Sequence, residues 1–481
     1  MVFLLNQKNS RMHHSKLLDL LRKLSPKQLS RAGDFVASPY FNKNKDNILF
    51  FNYLQKHAPD FDHKNLTKET AIQKIATEKP LDEKSLTYLM SQLTKLLETF
   101  LAVENLMQDG FEMPLSLLKK YQQLGLQRHQ KPTEDSIEKA LEKMPLRNAD
   151  FYQKQLVFKR LQYEQSNPNQ RGFNEKLQEA SDALEAYFLI EKLRYACGMQ
   201  NLSNTLHLDY RPSHASEAVD WAAEGKFSDE PAIQIYRQLF LLLSGTGEPG
   251  HFDDAKKLLT THGHRFEPDE LKQLYTLLLN YCTRRINRFN DEIFWHEYLE
   301  INKLLLENGL VFENGHLPPW RYTNLVTVGL RTGQTDWTHG FIHRYRSKLL
   351  PAYSENLFRY NLAQFHFHQK DFDNAQRELV HVEFTDVLLN LGVRSLLIKI
   401  YYETGQDELL YSYLEATRIF LLRNNLLDKQ VKQQMKKFVE YCGKLLKAQG
   451  DTERWRELQE NLPPAADVLH RDWLLAKLAA R

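Results

Sequence analysis

Helix-breaking residues are scarce in this chain. Only 19 glycines and 17 prolines interrupt 481 residues, about 7% together where roughly 12% is ordinary. Between them apolar residues recur at three- and four-residue spacing, as at Leu86, Leu89, Leu93, Leu97 and Phe100, which puts them on one face of a helix. An all-α fold of long helices is the expectation. With 42% apolar and 26% charged residues the chain can bury a substantial core. Its length suits either a few ordinary domains or one elongated array of repeats.

Cys197, Cys282 and Cys442 lie too far apart for a C-x-x-C pair and are too few for a disulfide framework, which points to buried thiols in a reducing compartment. The opening MVFLLNQKNSRMHHSK has a short apolar run without the small residues of a cleavage site, so it does not read as a secretory signal. Met12 is an alternative start, and residues 1–12 are expected to form a disordered tail. No apolar run approaches the roughly 18 residues of a membrane span. A cytoplasmic protein with no membrane partner is expected.

Charge is uneven along the chain. The net charge is +3, yet residues 1–60 hold ten Lys and Arg against four Asp. A solvated helical surface explains this, and so would contact with nucleic acid or an acidic protein. Residues 13–110 read as an N-terminal helical domain. Ser25-Pro26 joins a capping hydroxyl to a proline at the first helical position, and Ser38-Pro39 forces an extended stretch, SPYFNKNKDN, that brings Tyr40 and Phe41 beside Lys43 and Lys45. Asp82 then opens a long helix running to about Met107, with Lys84, Thr87, Tyr88, Ser91, Gln92 and Lys95 on its polar face. This outline loosely resembles the winged-helix domains of some bacterial transcriptional activators. It lacks the β-hairpin wing and an arginine to fork onto guanine.

Residues 111–481 show helix after helix, with self-similarity in the last third. The stretch YNLAQFHFHQKDFDNAQRELVHV (360–382) resembles a tetratricopeptide repeat, with Leu362, Ala363, His366, Phe372 and Ala375 in the repeat's places. In the next copy Tyr401 matches His366 and Leu410 matches Ala375; in the copy before, Thr338 does so. HFDDAKKLL repeats the second helix around Ala255. The resemblance implies a degenerate right-handed α-α superhelix closed by a capping helix at about 464–481.

Signs of catalysis and metal binding are weak. His366 and His368 point about 200° apart on a helix. His339 and His343 have the i, i+4 spacing of a zinc pair, but Gly340 stands where a catalytic Glu belongs and no third ligand is evident. GTGEPG (245–250) matches the dinucleotide fingerprint in letters alone, because a helical pattern precedes it where a strand is required. Neither a catalytic residue, a cofactor nor a metal is expected.

The expected function is a non-catalytic scaffold that binds a protein or peptide on the concave face of the array. The repeat resemblance implies a groove lined by Asn324, Thr327 and Arg331 in one unit, Tyr360, Asn361, Gln364, Phe367 and His368 in the next, and Lys399 and Tyr402 in a third, with Asn324 and Asn361 at the position that holds a ligand backbone. The alternative is a transcriptional regulator with the N-terminal helices on DNA. As a whole the chain also resembles uncharacterised bacterial helical-repeat proteins with an SPYFNK-type motif, a likeness that brings no known activity.

Overall fold

The computed structural model describes residues 12, 15–61, 66–75, 80–166, 172–206, 208–245, 250–289, 291–382, 386–424, 426–464 and 467–479. Residues 1–11 of the expected tail and 246–249 of the GTGEPG stretch lie outside them. Among the described residues the chain is all-α. It has 23 α-helices and no strand, apart from an isolated bridge pair at Glu313 and His316, and consecutive helices pack on one another. Two compact units divide the chain between Tyr187 and Phe188.

In the first unit four short helices, α1 (Lys16–Leu21), α2 (Pro26–Ala37), α3 (Lys45–Gln55) and α4 (Lys68–Lys74), all pack on α5 (Glu83–Gln108). The sequence dictates their starts. Ser25 and Gln28 form a capping box at α2, Thr67 caps α4, and Asp82 accepts the Ser85 amide at α5, so the first free N–H groups of each helix are satisfied. The apolar stripe of α5 is fully used: Leu86, Leu89, Leu93, Leu97 and Phe100 are buried, in one cluster with Met12, Leu18, Phe50 and Phe51. A separate cluster follows, built from α6 (Glu112–Gln123), α7 (Gln127–Lys143) and α8 (Ala149–Glu164) around Leu118, Ile137 and Phe158. The boundary between the units falls inside α9 (Glu175–Leu206).

The second unit continues with α10 (Ala215–Ala223) and then successive helix pairs: α11 (Pro231–Ser244) with α12 (His251–His262), α13 (Pro268–Phe289) with α14 (Ile293–Glu307), α15 (Pro319–Arg331) with α16 (Thr335–Tyr345), α17 (Pro351–His368) with α18 (Phe372–Val380), α19 (Val387–Glu403) with α20 (Asp407–Arg423), and α21 (Lys429–Lys447) with α22 (Thr452–Glu460). A last helix, α23 (Arg471–Ala479), follows. First helices also meet one another: α11 packs on α13, and α15, α17 and α19 lie side by side in a row.

Three of these pairs turn in the same way. After α15, α17 and α19 the residue beyond the cap is left-handed, at Gly333, Lys370 and Gly405 with φ of 70°, 61° and 67°. The amide that follows each one reaches back into the last turn, Gln334 to the Gly329 carbonyl, Asp371 to that of His366 and Gln406 to that of Tyr401, each at 2.9 Å. This is the Schellman closure that satisfies the free carbonyls of a helix end. Five residues past each left-handed position stand Thr338, Ala375 and Leu410, all 0% exposed. The approach is close: a Cβ on Gly329 would collide with the Thr338 side chain.

Two substitutions test this geometry. Ala375→Leu forces methylenes into a fully buried contact and is expected to destabilise by about 1–3 kcal/mol. Lys370→Gly relieves a side chain held in the left-handed region, and is expected to stabilise by about 0.5–1 kcal/mol after the entropy cost of glycine. Urea denaturation of both variants checks the signs; the same sign for both would mean that the pair does not close in this way.

Candidate functional site

The ten residues expected in the groove fall into three groups. Asn324, Thr327 and Arg331 are exposed on α15, where with Trp320 they form one stripe at four-, three- and four-residue spacing. Asn361 is different: it is 0% exposed, and its Nδ2 donates to the Leu357 carbonyl at 2.8 Å and to Thr323 Oγ1 at 3.2 Å. Its amide joins α17 to α15, so it holds two helices together instead of facing solvent. Gln364 belongs to the same network, donating to Asn361 Oδ1 at 3.2 Å. Tyr360 serves the opposite flank. Its ring lies against α19 where Gly392 leaves room, since a Cβ there would stand 2.8 Å from Tyr360 Cζ, and burial pushes its hydroxyl up to about 12.

Phe367 is half-buried, 5.6 Å from the Phe372 ring, and the Lys399 ammonium lies 4.9 Å from its centroid. His368 is exposed at the end of α17. Lys399 is half-buried, and burial brings its ammonium down to about 8 against the opposing pull of Cys442 and Glu403. Tyr402 meets the Trp473 ring edge-on at 5.3 Å.

Arg331 and Tyr402 converge on an element that the groove expectation did not include, the helix α23. Arg331 Nη1 donates to Asp472 Oδ2 at 2.7 Å while its guanidinium lies 4.6 Å from the Trp295 ring centroid. Glu403, beside Tyr402, accepts the Trp473 indole N–H at 2.8 Å on Oε1 and the Lys477 ammonium at 2.5 Å on Oε2. On its other side α23 buries Leu474 and Leu478 against Phe438 and Trp455, and the Trp455 indole donates to the Leu478 carbonyl at 3.1 Å. The helix therefore packs on α21 and α22 and also reaches back to α19 and α15. The signal for this in the sequence was the charge pattern of HRDWLLAK, which cannot be matched to its partners without the fold.

In the first unit, Lys84, Thr87, Tyr88, Ser91 and Lys95 are exposed on α5. Gln92 is engaged instead: its Oε1 accepts from Asn44 Nδ2 at 3.1 Å and from Asn47 Nδ2 at 3.4 Å, which ties the SPYFNKN loop to α5. Within that loop Phe41 stacks on Phe35 at 4.1 Å, leaving Tyr40 as the solvent-facing ring at 86% exposure.

Of the histidines considered as ligands, His366 Nδ1 lies 3.4 Å from Asp371 Oδ2. His339 and His343 have ring centroids 4.6 Å apart, and burial together with His339 and Arg346 lowers the His343 imidazole. Among the described residues no three His, Cys, Asp or Glu side chains gather where they could hold a metal ion, and no helix is long and apolar enough to cross a membrane.

His470 supplies a pH test of the α23 junction. Burial, helped by the charge of Lys399, lowers its imidazole well below the ordinary value. The unfolded chain thus binds the proton more readily than the folded one, and the neutral ring's stability is complete above about pH 6.5 and is lost as pH falls below it. Lys399 is already protonated in both states below its native value of about 8 and adds no slope there. Melting temperature is expected to fall between pH 7.5 and 5.5, and less steeply in His470→Asn, which keeps a residue tolerant of the left-handed φ of 54°. Equal slopes would remove His470 from the account.

The comparison with known proteins adds no relative. No protein-family model matches the chain, and no curated protein is significantly similar to it.

Proposed function

We propose that this chain is a non-catalytic, tetratricopeptide-like scaffold of the cytoplasm, and that it binds a segment of a partner protein along the row of α15, α17 and α19. The observation that carries this reading is the row itself. Three adjacent first helices present the exposed stripe of Asn324, Thr327 and Arg331 on α15 and the half-buried Phe367 and exposed His368 on α17, and the ends of α15 and α19 already hold one helical segment, α23, through matched charges at Arg331 and Glu403. A row that seats a helix by indole, carboxylate and ammonium contacts has the chemistry of a helix-in-groove or extended-peptide site.

A regulator that reads DNA through α5 draws less support. Gln92, the amide on the polar face suited to reading adenine, is held by Asn44 and Asn47.

The test uses the full chain. Asn324→Arg with Thr327→Arg places bulk and charge on the exposed stripe and leaves the helix contacts untouched, so the melting temperature is expected to stay within about 1–2 °C. Affinity purification from the native cell with quantitative mass spectrometry is expected to show one or more proteins lost from this variant, yet retained by Lys84→Ala. An unchanged set of co-purifying proteins would sink the reading. Steeply salt-dependent DNA binding abolished by Lys84→Ala would replace it with the regulator.

A further inference from the structure

We infer that the C-terminal ends of α15 and α19, at Arg331 and Glu403, form a helix-binding site that the chain's own α23 occupies, and that its external partner is an amphipathic helix carrying a carboxylate, an indole at the next position and an ammonium five residues after the carboxylate. The inference rests on reading the row as a binding face and adds what occupies it. A helix that only caps the array has to cover the apolar end of the last pair, a task that Leu474 and Leu478 complete. Nothing in that task requires it to reach helices earlier in the chain, yet Asp472 pairs with Arg331 of α15 and Trp473 and Lys477 share the carboxylate of Glu403 on α19.

These contacts alternate in sign. The row offers a cation at Arg331 and an anion at Glu403, and α23 answers with an anion and a cation in the opposite order, so only one direction of the incoming helix satisfies both. Glu403 is the selective element. Its side chain is 17% exposed and uses one oxygen for an indole N–H and the other for an ammonium, a combination that a surface salt bridge does not need. A segment that lacks the indole leaves one of these oxygens without its donor in a partly desolvated place. A partner helix with the same three groups reproduces the contacts to Arg331 and Glu403 and competes with a tether whose effective concentration is on the order of millimolar.

The experiment uses a fluorescein-labelled synthetic peptide of residues 464–481 and the full-length chain. Asp472→Arg with Lys477→Glu sets like charges against Arg331 and Glu403 and releases the tethered helix. This variant is expected to bind the peptide at least 10-fold more tightly than the wild-type chain by fluorescence anisotropy. Adding Glu403→Lys to it is expected to abolish binding, and a Lys477→Glu peptide to restore it. Equal affinity of wild type and release variant, or binding indifferent to Glu403→Lys, would overturn the inference.

Should the release variant lose its helical circular dichroism, hydrogen exchange of the wild-type chain decides. Saturating unlabelled peptide is expected to speed exchange at residues 471–479 several-fold, and an unchanged rate overturns the proposal. A wild-type dimer that depends on residues 471–479 would make a second copy the occupant and overturn closure within one chain. Failure here leaves the scaffold standing if proteins are still lost from the Asn324→Arg, Thr327→Arg variant; only failure of that capture removes the scaffold as well.

Discussion

Close approach of the two helices in a pair is the constraint on which the second unit depends. A helix of nine residues such as α18 is not stable alone in water, because its nucleation cost is not recovered over so few hydrogen bonds. It persists because Asp371 satisfies the Asn374 amide at its start and because Ala375 and Leu379 are buried against α17 and α19. The contact works only if the residue at the crossing is small or fits its neighbour, as Ala375 does and as Gly329 does opposite Thr338. A pair closed in this way still has apolar faces on both flanks. The next pair has to cover them, and the row of first helices follows from that.

The interface between first helices is more polar than this argument requires. Asn361 is fully buried with its amide shared between its own helix and Thr323, while on the other flank Tyr360 fills the space left by Gly392. Burying an amide costs free energy unless its partners are present, so Asn361 contributes less to stability than an apolar residue would and more to the register of one helix on the next. A one-turn slip would strand it. Bulk at Tyr360 against absence of bulk at Gly392 fixes the other flank by shape.

What could be read from the sequence was local. The capping hydroxyl of Ser25 before Pro26, the extent of α5 and the correspondence of Thr338, Ala375 and Leu410 all follow from spacing within one or two helices. The groove was harder, because periodicity says which residues share a face but not what faces it. Asn361 and Gln364 lie on the face expected to meet a ligand, and the carboxamide that binds them to Thr323 comes from packing between helices 38 positions apart in sequence. Lys370 conceals a turn that Gly333 and Gly405 announce, since the chain there accepts a lysine in the left-handed region. The seat of α23 lay furthest from view, for Arg331 and Asp472 are 141 residues apart.

Affinity and direction at that seat come from different groups. The Arg331 and Asp472 side chains are 36% and 70% exposed, and a pair so open to water contributes about 0–1 kcal/mol. Leu474 and Leu478 are almost wholly buried, and each such leucine contributes roughly 1.5–3 kcal/mol. The leucines therefore contribute much of the hold on α23 and are indifferent to its direction, whereas the exposed Arg331–Asp472 pair adds little and rejects the reversed helix. Glu403 joins the two roles, because it is charged and yet largely shielded, with the indole of Trp473 as one of its donors. Reversing its charge would set an ammonium against Lys477 and leave the Trp473 indole without its acceptor, so for a face that selects one segment among many this carboxylate decides which helix is held, and in which direction.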